Sequence, residues 1–244
     1  MLTDNYYLFI LLALLSEIIG TVSGFGSSIL FVPVASMFFD FKTVLGITAV
    51  FHVFSNLSKI LLFRKGIDKN IALRLGIPAV LFVIAGAWLT TLVPAKQIEL
   101  LMNIVLVALS IYLLINFNKS VKQTNNNLYL SGTLSGLLAG LVGTGGAIRG
   151  ITLAAFKLPK EIFIATSALI DLGVDSSRAV VYISNGYFHK QNLLLVPFLI
   201  GISIMGSYLG KLILKRTSEK VFRYMVLGII IFTSIFQTIK YFNS

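Results

Sequence analysis

The sequence contains no cysteine, which excludes a disulfide framework, a thiolate metal site and a cysteine nucleophile. Charge is scarce as well. Asp, Glu, Lys and Arg make up 12% of the 244 residues, about half the share that covers the surface of an ordinary soluble domain. A soluble enzyme and a secreted scaffold are therefore excluded. Acidic residues number nine against twenty basic ones, a net charge of +11. The cations are spread over short loops instead of forming a basic face or motif, so a nucleic-acid-binding domain is excluded too. No cluster or phosphate loop has the spacing for a metal, haem, nucleotide or flavin, and no cofactor is expected. The first apolar run, from Tyr6 onward, lacks a basic leader and a small-residue cleavage site, and is read as part of the mature fold.

What the sequence has in abundance is apolar length. Hydrophobic residues make up 57% of it, and the mean hydropathy is +0.92. Apolar segments run Tyr6 to Phe39, Thr43 to Phe63, Ile71 to Val93, Ile98 to Phe117, Leu128 to Phe156, Ile162 to Ile183, Leu193 to Leu214 and Val221 to Tyr241. A bilayer-crossing helix needs about 20 apolar residues, so the sequence predicts an all-α polytopic membrane protein with the lipid bilayer as its solvent. Tyr6, Tyr7, Tyr187 and Tyr241 suit interfacial belts. Pro33, Pro78 and Pro197 mark kinks or boundaries.

The first and fifth segments are interrupted by glycine clusters, Gly24-Phe25-Gly26-Ser27-Ser28 and Gly143-Thr144-Gly145-Gly146-Ala147. Successive glycines release the backbone from helical geometry. A shift of 119 residues lays Gly24 on Gly143, Gly26 on Gly145, Asn56 on Asp175 and Lys59 on Arg178. One inserted residue later, Gly66 meets Gly186. This reads as an internal duplication, a common origin of transporter folds. The expected organisation is a first transmembrane repeat over 1–117, a polar Asn-rich linker over 118–127 and a second repeat over 128–244. Each repeat is a glycine-broken block followed by three helices.

Loop charge bears on orientation. If every block crosses once, Lys and Arg divide almost evenly between the two sides. If both broken blocks enter and return, the basic loops around Arg64, Lys65, Lys69 and Arg74, around Lys119 and Lys122, around Lys157 and Lys160, and from Lys211 to Arg223 all share one side. Lys42, Lys96, Lys190 and Lys240 are left on the other. Cytoplasmic loops carry the excess of Lys and Arg, so the sequence predicts inverted repeats with re-entrant hairpins, a cytoplasmic linker and both termini outside the cytoplasmic membrane.

Non-helical backbone at membrane depth is tolerated only where protein or a watery cavity satisfies it. A helix starting just after such a break aims free N–H groups and a positive dipole end into that cavity, which suits an anion. Two such starts, near Ser27 and Ser28 and near Ala147, define the candidate site, with Gly24, Gly26, Gly143, Thr144, Gly145 and Gly146. Close helix packing is the competing use of small residues. Ionisable residues inside spans are costly and therefore informative. Asp171, Asp175 and Arg178 share one face of the sixth segment, and His52, Asn56 and Lys59 share the equivalent face of the second. Lys59, Arg149 and Arg178 are candidates for neutralising an anion. Glu17, His52, Asp171 and Asp175 are candidates for proton coupling. The bland alternatives are an Asp175–Arg178 salt bridge, a snorkelling Arg149, a hydrogen-bonded core His52, and Glu17 paired with a cation from the other half.

The stretch GFGSSILFVP from Gly24 to Pro33, the matching GLVGTGGAIRG from Gly140 to Gly150, and the small loops near Gly66 and Gly186 resemble the sulfite exporter TauE/SafE family over nearly the whole chain. The first motif departs from the family's more glycine-rich pattern at Ser27 and Ser28. The resemblance implies movement of sulfite, sulfonates or other sulfur-containing anions. The leading expectation is a secondary transporter for such a small anionic substrate, possible proton coupling included. An anion channel is one alternative. An intramembrane serine hydrolase using Ser27 or Ser28 with His52 is another, though the second half repeats neither nucleophile nor base.

Overall fold

The computed structural model of the chain describes residues 2–63, 66–116, 123–156 and 158–218, together with isolated positions from Val221 onward. All regular structure among them is helical: α1 (Leu2–Ser23), α2 (Ser28–Ala35), α3 (Phe41–Leu62), α4 (Lys69–Leu89), α5 (Ala95–Asn116), α6 (Asn125–Val142), α7 (Gly146–Ala155), α8 (Lys160–Ser184) and α9 (Val196–Arg216), with a 3-10 turn at Lys190–Leu195. Most of the eighth apolar segment, part of the linker, and Arg64, Lys65, Lys119, Lys122, Lys157, Lys220, Arg223 and Lys240 lie outside the described residues.

Local chemistry explains the boundaries. Asp40 and Asp68 cap α3 and α4 by accepting from Thr43 N at 3.1 Å and Ile71 N at 3.0 Å, and Thr124 caps α6. Side-chain oxygens there satisfy amides that the first helical turn leaves without partners. The breaks fall where expected. Gly26 has φ +82° and Gly143 has φ +79°, left-handed backbone that other residues rarely adopt. Among the described residues four helices are long and apolar enough to cross a membrane: Tyr6–Ser23, Phe41–Leu62, Lys69–Leu89 and Lys190–Arg216, the last including the 3-10 turn. The 25-residue α8 is long enough, but its charged residues take it out of that class.

Helix directions follow from which residues touch. His52 lies against Arg178 and Asn56 against Asp175, so α3 and α8 are antiparallel. Gly132, Gly136 and Gly140 of α6 lie against Leu75, Ala79 and Val83 of α4, a parallel pair. Gly206 and Gly210 of α9 meet Glu17 and Thr21 of α1, again in parallel. Ser203 and Lys211 of α9 donate to Phe51 O and Leu62 O of α3 in the same sense. Gly76 against Ile170 and Val80 against Gly173 align α4 with α8. Thus α1, α3 and α9 run one way, and α4, α6 and α8 the other.

Because α1 and α3 point alike, the chain must return between them, and α2 carries it back. Phe9, early in α1, packs edge-on against Phe38 and Phe39, which follow α2. In the second half Ser131, early in α6, shares a 2.7 Å hydrogen bond with Thr152, late in α7. The apolar core is divided in two. One cluster gathers Phe9, Phe31, Leu45, Phe51, Tyr182 and Leu199, and the other gathers Phe25, Ile29, Leu75, Phe163, Ile170 and Leu214. Phe31 and Phe51 of the first cluster pack on the His52 ring, while Val174 and Ala139 of the second line the cavity that His52 also lines. The polar centre lies between two apolar layers.

Candidate functional site

The two breaks meet. A methyl group on Gly146 would collide with the carbonyl oxygen of Phe25, so only glycine lets the second break approach the first. Gly26, Ser27 and Ser28 from one side and Gly145 and Gly146 from the other line a single cavity with His52, Asn56, Lys59, Asp171, Asp175 and Arg178. Its free space is about 10 Å³, near the lower limit for one water molecule. A second small cavity, lined by Gly20, Gly24, Gly26, Asn56, Lys59, Ser167 and Asp171, adjoins it. Gly24 and Gly26 are thus in the site itself. Gly143 lines neither cavity, and its carbonyl accepts from Arg178, which lines the first. Thr144 is buried, with its hydroxyl unpartnered.

Three ion pairs hold the centre together, and all three cations are buried. Lys59 Nζ lies 2.9 Å from Glu17 Oε1, Arg178 Nη2 lies 2.6 Å from Asp175 Oδ1, and Arg149 Nη2 pairs with Asp171 Oδ2. Equal numbers of opposite charges leave the cluster formally neutral, which is how charge survives at such depth. Glu17 is fully buried, and its partner Lys59 comes from its own half of the chain; in place of the cation expected from the other half stands Ser207, a neutral donor at 2.8 Å. Glu17 also accepts from Ser55 and Thr21 through Oε1 and from Ser27 at 2.5 Å through Oε2. The Asp175–Arg178 bridge forms as the spacing allows. Arg149 is buried against Ser167 and Asp171, so it does not snorkel.

The cations are not equivalent. Arg178 spends its donors on structure, from Nε to Asp175 Oδ1 at 2.7 Å and from Nη1 to the carbonyls of Ala139 and Gly143 at 3.1 and 2.7 Å. Those carbonyls close the end of α6, where a cation is favoured. Arg149 uses Nε on Ser167 and Nη2 on Asp171, and its Nη1 carries no hydrogen bond among the described residues.

Hydrogen bonds also form a directed chain. Arg178 Nη2 approaches His52 Nδ1 at 3.4 Å, and His52 Nε2 lies 2.9 Å from Ser27 Oγ, which donates to Glu17. With a guanidinium donor at Nδ1, the ring proton sits on Nε2 and points at Ser27. A serine nucleophile needs the opposite polarity, with an imidazole accepting the hydroxyl proton and an acid behind it. His52 has an arginine behind it. Ser27 heads α2 without capping it, because its hydroxyl is engaged elsewhere. Ser28 lines the cavity.

Residue spacing did not reveal the hydroxyl partners Thr21, Ser55, Ser167 and Ser207. The signal was present for three: Thr21 stands four residues after Glu17, Ser55 four before Lys59, and Ser167 four before Asp171, each on the charged face. Tyr182, four beyond Arg178, donates to Gly140 O.

Apolar helices long enough to cross a bilayer, packed around a buried charged centre, are those of a polytopic membrane protein, and comparison with known proteins makes it a membrane transporter. The sequence matches the family described as Sulfite exporter TauE/SafE over residues 9–236, and the chain belongs to that family. It is 26% identical over 246 aligned positions to the protein named "Probable membrane transporter protein MJ0441" of Methanocaldococcus jannaschii, covering 91% of each chain. No solved structure matches it.

Proposed function

We propose that this transporter is a secondary carrier of a small sulfur-containing oxyanion, sulfite or an organosulfonate, bound where the glycine breaks meet. The carrying observation is that one buried cavity joins two helix starts with Lys59, and that Arg149 sits one side chain away behind Asp171. The helix starts at Ser28 and Gly146 supply amides and positive dipole ends; the cations supply charge. The sulfur chemistry of the cargo rests on the family. A cavity with so little free space favours a carrier over an open channel, because cargo enters only when the packing changes.

We read the halves as inverted repeats with re-entrant hairpins, both termini outside. Three observations support this. Asn56 Nδ2 donates to Asp175 Oδ2 at 2.7 Å across a separation of 119 residues, the repeat shift, and equivalent residues touch each other only at a two-fold axis. The α4–α6 pairing has its counterpart in α9–α1, and α4–α8 in α9–α3. Equivalent helices α3 and α8 are antiparallel, so that axis lies in the membrane plane, the geometry of inverted-repeat transporters. Alternating access then follows from exchange of packing between halves. Purified protein in liposomes loaded with sulfite or isethionate tests the cargo: saturable, gradient-coupled flux is expected, and absence of flux for every sulfur oxyanion under either pH gradient refutes the reading.

A further inference from the structure

Asp171 is set apart from the other carboxylates of the centre. Glu17 is held by Lys59 and four hydroxyls, and Asp175 by Arg178 and Asn56. Asp171 has Arg149 alone among the described residues. Its side chain is 14% exposed, against 0% for Glu17 and 6% for Asp175. It is also the only carboxylate among the described residues that lines both cavities, which it shares with Gly26, Asn56 and Lys59. Arg149 lines neither. An anion in the cavities therefore meets the carboxylate before the guanidinium.

We propose that Asp171 is an exchangeable counter-ion: the incoming oxyanion takes its place on Arg149, and the released carboxylate takes up one proton. This rests on the anion-site reading above and deepens it, because it sets the charge balance of binding. The cluster is neutral when empty. Adding an anion to a buried neutral cluster leaves an unpaired charge, which costs several kcal/mol unless a proton enters with it. Asp171 is the group placed to receive that proton. Asp175 and Arg178 face it from its own helix, Lys59 and His52 from α3, and Arg149 from α7, while α4 presents only apolar Val80 to the neighbouring Gly173. Asp175 and Glu17 are too fully bonded to be released. No covalent bond changes; one ion-pair partner replaces another and one O–H bond forms from a solvent proton.

The test is calorimetric titration of sulfite into the full-length protein in detergent, in buffers of different ionisation enthalpy, for wild type and Asp171→Asn. The ligand's own titration is common to both and cancels in the comparison. Wild type is expected to take up close to one more proton per bound anion than Asp171→Asn. Its affinity should therefore weaken by about tenfold more per pH unit in the range above the titration of the carboxylate paired with Arg149 and below that of the freed carboxylate. Asp171→Asn should still bind sulfite, more tightly at high pH, since its competitor is gone. Equal proton counts overturn the exchange while leaving the anion site intact. If the variant does not fold, the wild-type count decides: uptake no greater than the ligand's own titration requires overturns the proposal. Failure of wild type to bind any sulfur oxyanion refutes the anion site, and the exchange with it.

Discussion

Arg149 and Arg178 are both buried guanidinium groups, but one has spare donors and the other has none to spare. Removing one member of a buried pair leaves its partner uncompensated and costs about 3–5 kcal/mol. Arg178→Gln strands Asp175, which is almost fully buried, and uncaps the carbonyls of Ala139 and Gly143. That variant should lose most of its folded yield, read as a collapsed size-exclusion peak and a much lower melting temperature in detergent. Arg149→Gln strands Asp171, which retains some access to the cavities. It should keep its melting profile to within a few degrees and lose sulfite binding. The reverse ranking would contradict the division of labour. Gly146→Ala places a methyl group on the Phe25 carbonyl and should separate the breaks, abolishing binding in a protein that still inserts. Much of this centre was legible beforehand, because charge within an apolar run stands out. Of the pairing only Asp175 with Arg178 was legible: Glu17 chose Lys59 of its own half, and Thr21, Ser55 and Ser207 joined it. A serine in a membrane helix satisfies itself on its own backbone as readily as on a neighbour, so only the packed structure identifies those that leave it.

Among the helices, the capped ones are the most predictable. Asp40 heads α3 and its carboxyl sits below the usual carboxylate value. Burial pushes it up, but bonds from the Thr43 side chain and backbone, with the charge of His189, outweigh that. A carboxylate lowered by folding stabilises above its unfolded pKa and ceases to do so as pH falls through the folded one. Asp40→Ala should therefore cost about 1 kcal/mol at neutral pH. The deficit should shrink in strong acid, where the wild-type cap is itself protonated; melting curves between pH 7 and pH 3 would show the two proteins converging. The glycine breaks were legible at this scale too, since clustered glycines and the helix starts after them are local features. The polarity of α8 hid a second role for its length. Its charges lower its hydropathy, yet 25 residues rise about 37 Å, and those charges are tolerated because Asp175 pairs with Arg178 on the same helix and Asp171 with Arg149 of α7. The seam of Gly132, Gly136 and Gly140 on α4 was not anticipated as an interface, because isolated glycines in membrane helices carry no partner label.

At the scale of the molecule, the decisive quantity is direction. The shift of 119 residues relates the halves but says nothing about whether they point the same way, and loop charge alone decides between topologies only through a statistical preference. Contact register is independent of charge. With α1 and α3 parallel and α8 opposed to α3, the loop after α4 and the loop after α8 emerge on one face, and the start of α6 and the end of α9 on the other. The absence of native cysteine makes this directly measurable, since single cysteines can be introduced without background. Lys96→Cys and Asn185→Cys sit at exposed positions on the first face, and Thr124→Cys and Ser218→Cys at exposed positions on the second. A membrane-impermeant maleimide applied to intact cells or right-side-out vesicles should label the first pair and spare the second until the membrane is opened. Labelling of Lys96→Cys together with Thr124→Cys, or of Asn185→Cys only after permeabilisation, would mean that α5 or α8 does not cross. On the proposed reading of opposed halves, the site lies between two equivalent and opposite packings, so the fold itself favours neither side of the membrane, and the proposed charge exchange sets when the packing changes.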